Sequence, residues 1–232
     1  MNRYRHWIYS NLPPVMQPTV RGAYLAYLAF MDRFRLNDLE QIYTQDWYAE
    51  GRDKILDRDV EQFCRVLWER LEPESVADVG CGQGVYLECF QALGVKCMLG
   101  IEGTDNALKD AVVPFIVKHD LRVPFSHPQQ YDLVLSIEVA EHIHGAHAGT
   151  LVTTIVDLCR PGGHIVLTAA PPGQEGNHHI NLQPREYWIR KFSNRGCAYQ
   201  EQLSMEISSG LDLQGLHWVK RNLMIFMRLA PT

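Results

Sequence analysis

Residues 76–84 read VADVGCGQG, and this stretch decides the fold of the chain. It begins as a short apolar strand and runs directly into a glycine-rich turn, and the residues from Val85 onward predict a helix. Glycines let the backbone pass close to a ligand, and the free N–H groups at the start of a helix favour a negatively charged group. The stretch therefore predicts a binding site for a nucleotide-like cofactor.

The spacing of the glycines separates the possible classes of cofactor site. The turn reads G-x-G-x-G, with Asp78 two residues before Gly80. A dinucleotide-binding turn reads G-x-G-x-x-G, and its third glycine would fall where this chain has Val85. A P-loop requires Gly-Lys-Ser/Thr, which does not follow the turn. The spacing disfavours an NAD-dependent oxidoreductase and excludes a P-loop nucleotide site.

An acid followed by G-x-G-x-G resembles the first motif of the class I S-adenosylmethionine (SAM) methyltransferases. The matching positions in this chain are Asp78, Gly80, Gly82 and Gly84. The resemblance implies an α/β fold with a doubly wound, mostly parallel seven-stranded sheet, the Rossmann-like methyltransferase fold. It also implies that SAM is the cofactor and that the glycine turn lies against its methionine part.

Three more apolar runs are each followed by an acid: residues 97–101 by Glu102, 115–118 by Asp120 and 131–137 by Glu138. An acid about 20 residues after the glycine turn, at the end of a strand, is where a carboxylate usually holds a ribose diol. We therefore expect Glu102 to bind the ribose, and the resemblance implies that Asp120 binds the adenine amino group. The predicted cofactor-binding residues are Asp78, Gly80, Cys81, Gly82, Gly84, Glu102, Asp120, Leu121 and Ile137.

The alternation of strands and helices continues to residue 169, which predicts a parallel, doubly wound sheet. The later predicted elements are a helix over 150–159 stopped by Pro-Gly-Gly, a strand over 164–169, a helix over 184–192, and strands over 199–207 and 223–229 flanking a short helical piece near 211–217. In the resembled family, the last two strands form the antiparallel hairpin that ends the sheet.

The residues before the first strand predict a separate helical extension. Residues 1–18 contain three prolines and are expected to be extended, whereas 20–36 and 59–71 have helical apolar patterns. An aromatic segment lies between them at 42–48. Methyltransferases of this class commonly carry an N-terminal helical lid, which implies a lid over 1–72 and a SAM-binding domain over 73–232. Whether the aromatic side chains serve the cofactor or only pack the lid onto the core stays open.

The composition of the chain limits the binding partners and the cellular location that we expect for it. A chain of 232 residues fits one domain with a modest extension, and the net charge of −5 gives no general affinity for polyanions. Nucleic acid is a possible acceptor that the charge does not favour. The six cysteines include no C-x-x-C pair, which indicates a reducing compartment. Because no segment has the length or the pattern of a membrane span or a signal peptide, we expect a cytoplasmic protein without a membrane partner.

A possible metal site follows the fourth predicted strand. The residues Glu138, Glu141 and His142 have the spacing i, i+3, i+4, which would place all three on one face of a helix. Two carboxylates and an imidazole could together bind a divalent cation. Oxygen ligands favour Mg²⁺, and imidazole moves the preference toward metals such as Mn²⁺.

This E-x-x-E-H run is similar to one in two branches of the methyltransferase superfamily. One branch is the ubiquinone-pathway O-methyltransferases, and the other is the small-RNA 3′-end 2′-O-methyltransferases. The second branch adds a histidine from the loop after the fifth strand, where this chain has His178 and His179. The resemblance implies Glu138, Glu141, His142 and His179 as metal ligands, with the last three in catalysis. A metal-free site with His178 or His179 as general base is the alternative.

The combined pattern predicts a SAM-dependent enzyme that methylates a hydroxyl group. A metal would suit an acceptor with two neighbouring oxygens, because chelation orients the acceptor and lowers the pKa of its hydroxyl. The expected acceptor is a small polyhydroxylated or glycan-like molecule, such as a sugar, a catechol or a ribose. Two alternatives stay open: a metal-free N- or C-methyltransferase acting on a small molecule, and a non-catalytic SAM-binding partner protein. The sequence leaves the oligomeric state undecided.

Overall fold

The computed structural model describes residues 16–54 and 57–231, with the side chains of 50–54 left out. The extended segment predicted for residues 1–18 therefore lies mostly outside the described residues. From Gln17 onward the chain is already helical, with Pro18 in the first turn of that helix. Proline is tolerated there because the first N–H groups of a helix have no partner within it.

Among the described residues, four helices precede the sheet: α1 (Gln17–Arg33), α2 (Leu39–Ile42), α3 (Gln45–Lys54) and α4 (Asp57–Leu71). The first half of the sheet region contains β1 (Ser75–Val79), α5 (Val85–Ala92), β2 (Cys97–Glu102), α6 (Asp105–Leu108), β3 (Ile116–Lys118) and β4 (Tyr131–Ile137). The second half contains α7 (Ala148–Leu158), β5 (Cys159–Thr168), α8 (Arg185–Ser193), β6 (Cys197–Tyr199), α9 (Glu201–Gly210), α10 (His217–Asn222) and β7 (Met224–Arg228).

The strands form one seven-stranded sheet in the order β3-β2-β1-β4-β5-β7-β6. The strands from β3 to β5 in this order run parallel, and β7 is antiparallel to both β5 and β6. This confirms the predicted mostly parallel α/β sheet. Because the strand order reverses between β1 and β4, a crevice opens at their carboxyl ends, where open α/β sheets bind ligands.

The helices cover both faces of the sheet, and each face has its own hydrophobic core. The central strands are buried on both sides, which explains their nearly continuous apolar sequence. One core contains residues of α7 and α8, among them Leu151, Ile155, Trp188 and Phe192. The other contains residues of α4, α5, α9 and α10, among them Phe63, Leu67, Phe90, Ile207 and Val219. Helix α4 thus packs against the sheet domain, although it precedes β1 in sequence.

The end of the sheet differs from the prediction. The strand predicted over 199–207 is wrong: β6 ends at Tyr199, and α9 follows. Met205 is 66% exposed while Ile207 is buried, so residues two apart lie on different faces, as in a helix and not in a strand. The helical piece near 211–217 is also misplaced, since α10 begins at His217. The last two strands pair antiparallel as expected, but two helices connect them.

Strand β5 begins earlier than the predicted 164–169. It starts at Cys159 and includes the Pro-Gly-Gly sequence, which was expected to lie before the strand. Its pairing with β4 shifts register between Tyr131 and Leu133, which accommodates these residues as an irregularity at the start of the strand.

All six cysteines are free thiols, and four of them are buried. The reducing compartment and the cytoplasmic location stay predictions. Within residues 16–54 and 57–231, none of the helices has both the length and the apolar character needed to cross a bilayer.

Candidate active site

A cavity of about 680 Å³ opens at the carboxyl ends of the central strands. Its volume is typical of a site for a small molecule or a cofactor. The lining includes the predicted cofactor residues Asp78, Gly80, Cys81, Gly82, Glu102, Asp120, Leu121 and Ile137. The other walls come from the helices before the sheet, from the loop after β5 and from α10. The crevice predicted from the sheet topology is therefore one continuous cavity.

The glycine turn after β1 has a backbone conformation that residues with side chains rarely adopt. Gly80, Gly82 and Gly84 all have positive φ angles, of 82°, 54° and 90°. A Cβ atom on Gly80 would lie 2.5 Å from the side chain of Val139, so only glycine fits there. Gly84 faces Val113 rather than the cavity, and a Cβ atom on Gly84 would lie only 2.6 Å from the Val113 side chain. Gly84 therefore serves close packing at the start of α5.

Glu102 is the buried carboxylate at the end of β2. One oxygen accepts hydrogen bonds from the Gly103 N–H at 2.7 Å and the Tyr48 hydroxyl at 3.1 Å, and the other accepts from the Gly82 N–H at 2.9 Å. Burial raises the pKa of Glu102, against the effect of these hydrogen bonds. The side chain is thus fixed in the cavity wall, where the oxygen bonded to Gly82 keeps a lone pair that could accept a ribose hydroxyl.

Asp78 is a second buried carboxylate in the same wall. It is 1% exposed, and its Oδ2 has no hydrogen-bond partner among the described residues. Burial, together with the nearby charge of Glu102, raises the pKa of Asp78 to about 8. An unsatisfied buried acceptor is costly unless a ligand supplies a donor or a positive charge. SAM carries both an ammonium and a sulfonium group, so these acids fit that cofactor.

Asp120 lies at the cavity with its oxygens already engaged. It accepts hydrogen bonds from the backbone N–H and from the guanidinium of Arg122, at 2.9 Å for the closest contacts. Arg122 also donates to Asp32 of α1 at 2.8 Å, so the pair connects the cavity to the N-terminal helices. Beside it, Leu121 is buried and lines the cavity. Adenine binding by Asp120 stays a prediction.

Aromatic side chains from α3, and that of Tyr43 directly after α2, complete the wall. Tyr43, Trp47 and Tyr48 all line the cavity, and the Tyr48 hydroxyl bonds Thr104 as well as Glu102. The rings of Tyr43 and Trp47 lie 6.0 Å and 6.2 Å from the His142 ring. The sequence left the role of these aromatic residues open. In the structure they border the space between the acids and His142.

The E-x-x-E-H run does not form the expected helical face. Only a single 3₁₀ turn covers Ala140–His142, and Glu138 precedes it with a φ of 54°. The Glu138 oxygens accept hydrogen bonds from Gln174 at 3.1 Å and Asn222 at 3.0 Å. The prediction that one helix would align the three side chains is therefore wrong, because the strand ends in a left-handed residue instead of continuing into a helix.

Glu141, His142 and His179 nevertheless come together. Each offers one ligand atom, and these atoms all lie within 4.8 Å of one another. His179 Nε2 is 4.0 Å from Glu141 Oε1, and the two imidazole rings are 5.0 Å apart. His178 is not part of this group, and its ring lies 6.1 Å from that of Tyr43. Of the two candidate histidines, His179 is thus the one beside the other two groups. Glu138 lies outside this group of three.

The electrostatics of this cluster suit a bound cation. Glu141 is fully buried, and neither of its oxygens has a hydrogen bond from the described residues. Burial, and then the charge of Glu138, raises the pKa of Glu141 well above its usual value. Burial, assisted by His179 and His178, lowers the pKa of His142 to about 3. Neutral imidazoles and an unsatisfied carboxylate are the donor set that a divalent transition metal prefers, so the residues fit such an ion.

Several residues of the site were not predicted from the sequence. Gln174 of the loop after β5 and Trp218 of α10 both line the cavity, and no pattern around them indicated it. Asp32 is 2% exposed. Its position as an acid within the apolar face of α1 is a sequence signal that could have indicated it.

Comparison with known proteins identifies the family. Residues 48–205 match the family model described as a methyltransferase domain. Among curated proteins, the ubiquinone biosynthesis O-methyltransferase of Proteus mirabilis (strain HI4320) is 25% identical over 152 residues, covering 59% of this chain and 60% of that protein. The ubiquinone biosynthesis O-methyltransferase of Leptothrix cholodnii is 28% identical over 130 residues, covering 52% of this chain and 50% of that protein. The chain therefore spans only about half to three fifths of the length of these relatives.

Solved structures show the same fold at lower identity. Streptomyces venezuelae DesVI has a TM-score of 0.61 and 19% identity, covering 84% of this chain and 99% of its own. CalS10, an amino pentose methyltransferase from Micromonospora echinaspora solved with SAM, has a TM-score of 0.58 and 19% identity, covering 80% and 98%. Since the family model matches most of the chain, including the glycine turn and the acids of the cavity, the chain belongs to the methyltransferase domain family of class I SAM-dependent methyltransferases.

Proposed function

We propose that this chain transfers the methyl group of SAM to a hydroxyl of a small polyhydroxylated acceptor, assisted by a divalent cation held by Glu141, His142 and His179. The observation that carries the proposal is the convergence of three ligand atoms within 4.8 Å. His142 and His179 line the same cavity as Asp78 and Glu102, so an acceptor beside them also lies beside the cofactor site.

The chemistry of methyl transfer determines what the residues must do. SAM supplies an electrophilic methyl group, so catalysis consists mainly of aligning an acceptor and making it nucleophilic. A divalent cation lowers the pKa of a hydroxyl that it binds. Glu141, His142 and His179 would hold the cation and thereby fix the acceptor oxygen. Tyr43 and Trp47, on the other side of His142, would shield the acceptor from water.

An oxygen acceptor is supported by the relatives and by the histidines. The curated relatives are named as O-methyltransferases, although each shares only part of its length with this chain. Burial lowers the pKa of His179, which makes this imidazole a weak general base at neutral pH. This disfavours the metal-free alternative in which a histidine alone removes the proton. Two neighbouring oxygens on the acceptor suit chelation, which is why we favour a sugar, catechol or ribose-like molecule.

Methyl transfer from labelled SAM tests the proposal. Catechol, a sugar diol and a ribose-ended dinucleotide serve as acceptors, each in EDTA and after addition of Mn²⁺ or Mg²⁺. We expect transfer to one diol acceptor that EDTA lowers at least about tenfold and that the metal restores. The Glu141→Gln and His179→Gln variants should lose transfer while they bind SAM normally, and His127→Gln, outside the cavity, should match the wild type.

Three results would contradict the proposal. Transfer that EDTA leaves unchanged would favour a metal-free mechanism. Transfer to an amine or carbon acceptor alone would make the chain an N- or C-methyltransferase. SAM binding without transfer to any acceptor would favour a non-catalytic partner protein.

A further inference from the structure

The side chain of Gln174 joins three parts of the fold at the edge of the cavity. Its Nε2 donates to Glu138 Oε2 at 3.1 Å, at the end of β4. Its Oε1 accepts from Asn222 at 3.1 Å and from Arg221 at 2.6 Å, both on α10. Asn222 is itself buried and also donates to Glu138. The amide of Gln174 is therefore held on both its donor and its acceptor side.

The backbone of the same residue contacts His179. The carbonyl oxygen of Gln174 lies 3.2 Å from His179 Nδ1. A carbonyl only accepts, so this contact requires the proton on Nδ1 and leaves Nε2 with a free lone pair. That Nε2 is the atom that lies 4.0 Å from Glu141 Oε1. Metal-binding histidines typically have their other nitrogen fixed by such a carbonyl or carboxylate partner.

The loop around Gln174 is shaped to the imidazole ring. Gly176 lies against it so closely that a Cβ atom would be 2.1 Å from His179 Cε1. Apart from its turn hydrogen bond to Pro171, the backbone of Gln174 lies in an irregular segment without strand pairing. The side-chain contacts of Gln174 to Glu138, Asn222 and Arg221, together with the contacts of Arg21 to Glu175 and Gly176, hold the segment whose carbonyl faces His179.

From this geometry we propose that Gln174 is a positioning residue that fixes the tautomer and orientation of His179, with Glu138 and Asn222 as its anchors. The importance of His179 for the reaction rests on the function proposed above, whereas the positioning itself does not. Glu138 then acts through Gln174, which accounts for its place outside the group of Glu141, His142 and His179.

The test uses the full chain with ¹⁵N-labelled histidine. Long-range ¹H–¹⁵N correlation spectra of the metal-free protein report which imidazole nitrogen carries the proton, with His179→Gln used to assign the signal. We expect His179 of the wild type to be protonated on Nδ1. Gln174→Met removes the side-chain contacts at nearly constant size, and its His179 signal should change to a mixture of tautomers. Gln183→Met, a matched glutamine in the same loop that bonds Asn181 instead, should keep the wild-type signal.

Binding measurements complete the test. Gln174→Met should bind Mn²⁺ about tenfold more weakly and SAM within twofold of the wild type, which a general loss of structure would not produce. If Gln174→Met does not fold, Gln174→Glu replaces it, because a second carboxylate facing Glu138 breaks the same contact. An unchanged His179 tautomer in the folded variant would overturn the proposal. Failure of the wild type to bind Mn²⁺ would instead contradict the proposed function, and the conclusion about the tautomer of His179 would still hold.

Discussion

Two acids, Asp78 and Glu102, lie side by side in the cavity wall and are almost completely buried. Burial raises the pKa of both acids, and the charge of Glu102 raises that of Asp78 further, so holding both as carboxylates in this wall is costly. A cofactor that brings positive charge and hydroxyl donors offsets this cost. The two acids thus link the electrostatics of the cavity to its preference for SAM.

The pH dependence of stability tests the state of Asp78. Its pKa is about 8 in the folded chain against 3.8 for an ordinary aspartate, so the folded state binds the proton more tightly. The free energy of unfolding therefore falls as the pH rises from about 4 to about 8. Asp78→Asn cannot lose a proton there, and the variant should gain up to about 4 kcal/mol relative to the wild type between pH 5 and pH 8. Urea unfolding of both proteins at these pH values measures the difference, and a difference independent of pH would refute the assignment.

Glu102 should dominate the binding of the ribose. Glu102→Gln keeps the size of the side chain but replaces one accepting oxygen with a donor that opposes the N–H of Gly82 or Gly103. Since hydrogen bonds to charged groups contribute about 1.5–3 kcal/mol, SAM should bind about 10- to 100-fold more weakly. Isothermal titration calorimetry measures the affinity, and Glu88→Gln on the exposed side of α5 is the matched control. Equal affinities for the two variants would remove Glu102 from the cofactor site.

These acids could be predicted because each follows an apolar strand, and parallel strands bring their carboxyl ends together. Gln174 could not be predicted, since it lies in an irregular loop and its role depends on two residues of α10 that are 47 and 48 residues further along the chain. Sequence patterns report local periodicity, and contacts of this kind arise only from the tertiary fold.

At the scale of elements, a buried ion pair attaches α1 to the sheet domain. Asp32 and Arg122 have side chains that are 3% and 6% exposed and join at 2.8 Å. Asp32 also accepts from the backbone N–H of His144 at 2.8 Å. Glu40 of α2 adds a second attachment, because its carboxylate accepts from the N–H groups that begin α6.

Loss of the Asp32 carboxylate should therefore release α1. Asp32→Ala leaves the buried Arg122 guanidinium with one partner fewer, at a cost of about 3 kcal/mol. Hydrogen exchange followed by mass spectrometry should show the amides of residues 25–33 exchanging about 100-fold faster, while those of β1 and β4 change little. Asp120→Asn should have a smaller effect, since the Asp120 side chain is 32% exposed. Equal exchange in the wild type and Asp32→Ala would show that the pair does not hold α1.

The loop after β5 can be tested independently of Gln174. Gly176→Ala places a methyl group 2.1 Å from the imidazole of His179, so the ring must leave its present position beside Glu141 and His142. We expect Mn²⁺ affinity to fall at least about tenfold, with SAM affinity unchanged. Gly149→Ala in α7 is the control, because a Cβ there meets nothing within 4 Å. Wild-type Mn²⁺ affinity in Gly176→Ala would argue against His179 as a ligand.

The elements that sequence periodicity predicted well are the buried parallel strands, whose apolar runs have few alternative interpretations. Sequence periodicity failed for α9, whose first residues were predicted as a strand. It failed also after Glu138, where a 3₁₀ turn takes the place of the predicted helix. In both places the packing of neighbouring elements, which the local sequence does not contain, decided the conformation.

For the whole molecule, the cavity combines three regions that are distant in sequence. The sheet contributes the acids, the helices before β1 contribute Tyr43, Trp47 and Tyr48, and the segments after β5 contribute His179 and α10. The arrangement places the proposed cation site and the cofactor site in one enclosure. Methyl transfer to a bound hydroxyl is the reaction that this combination would support.

A crystal structure grown with S-adenosylhomocysteine and Mn²⁺, with anomalous data collected at the manganese edge, tests this account most directly. We predict the nucleoside in the cavity with its ribose hydroxyls on Glu102, and one anomalous peak between Glu141, His142 and His179. Two results would contradict the account: a nucleoside bound in the cavity with no anomalous peak among these three residues, or a cavity that does not bind the nucleoside.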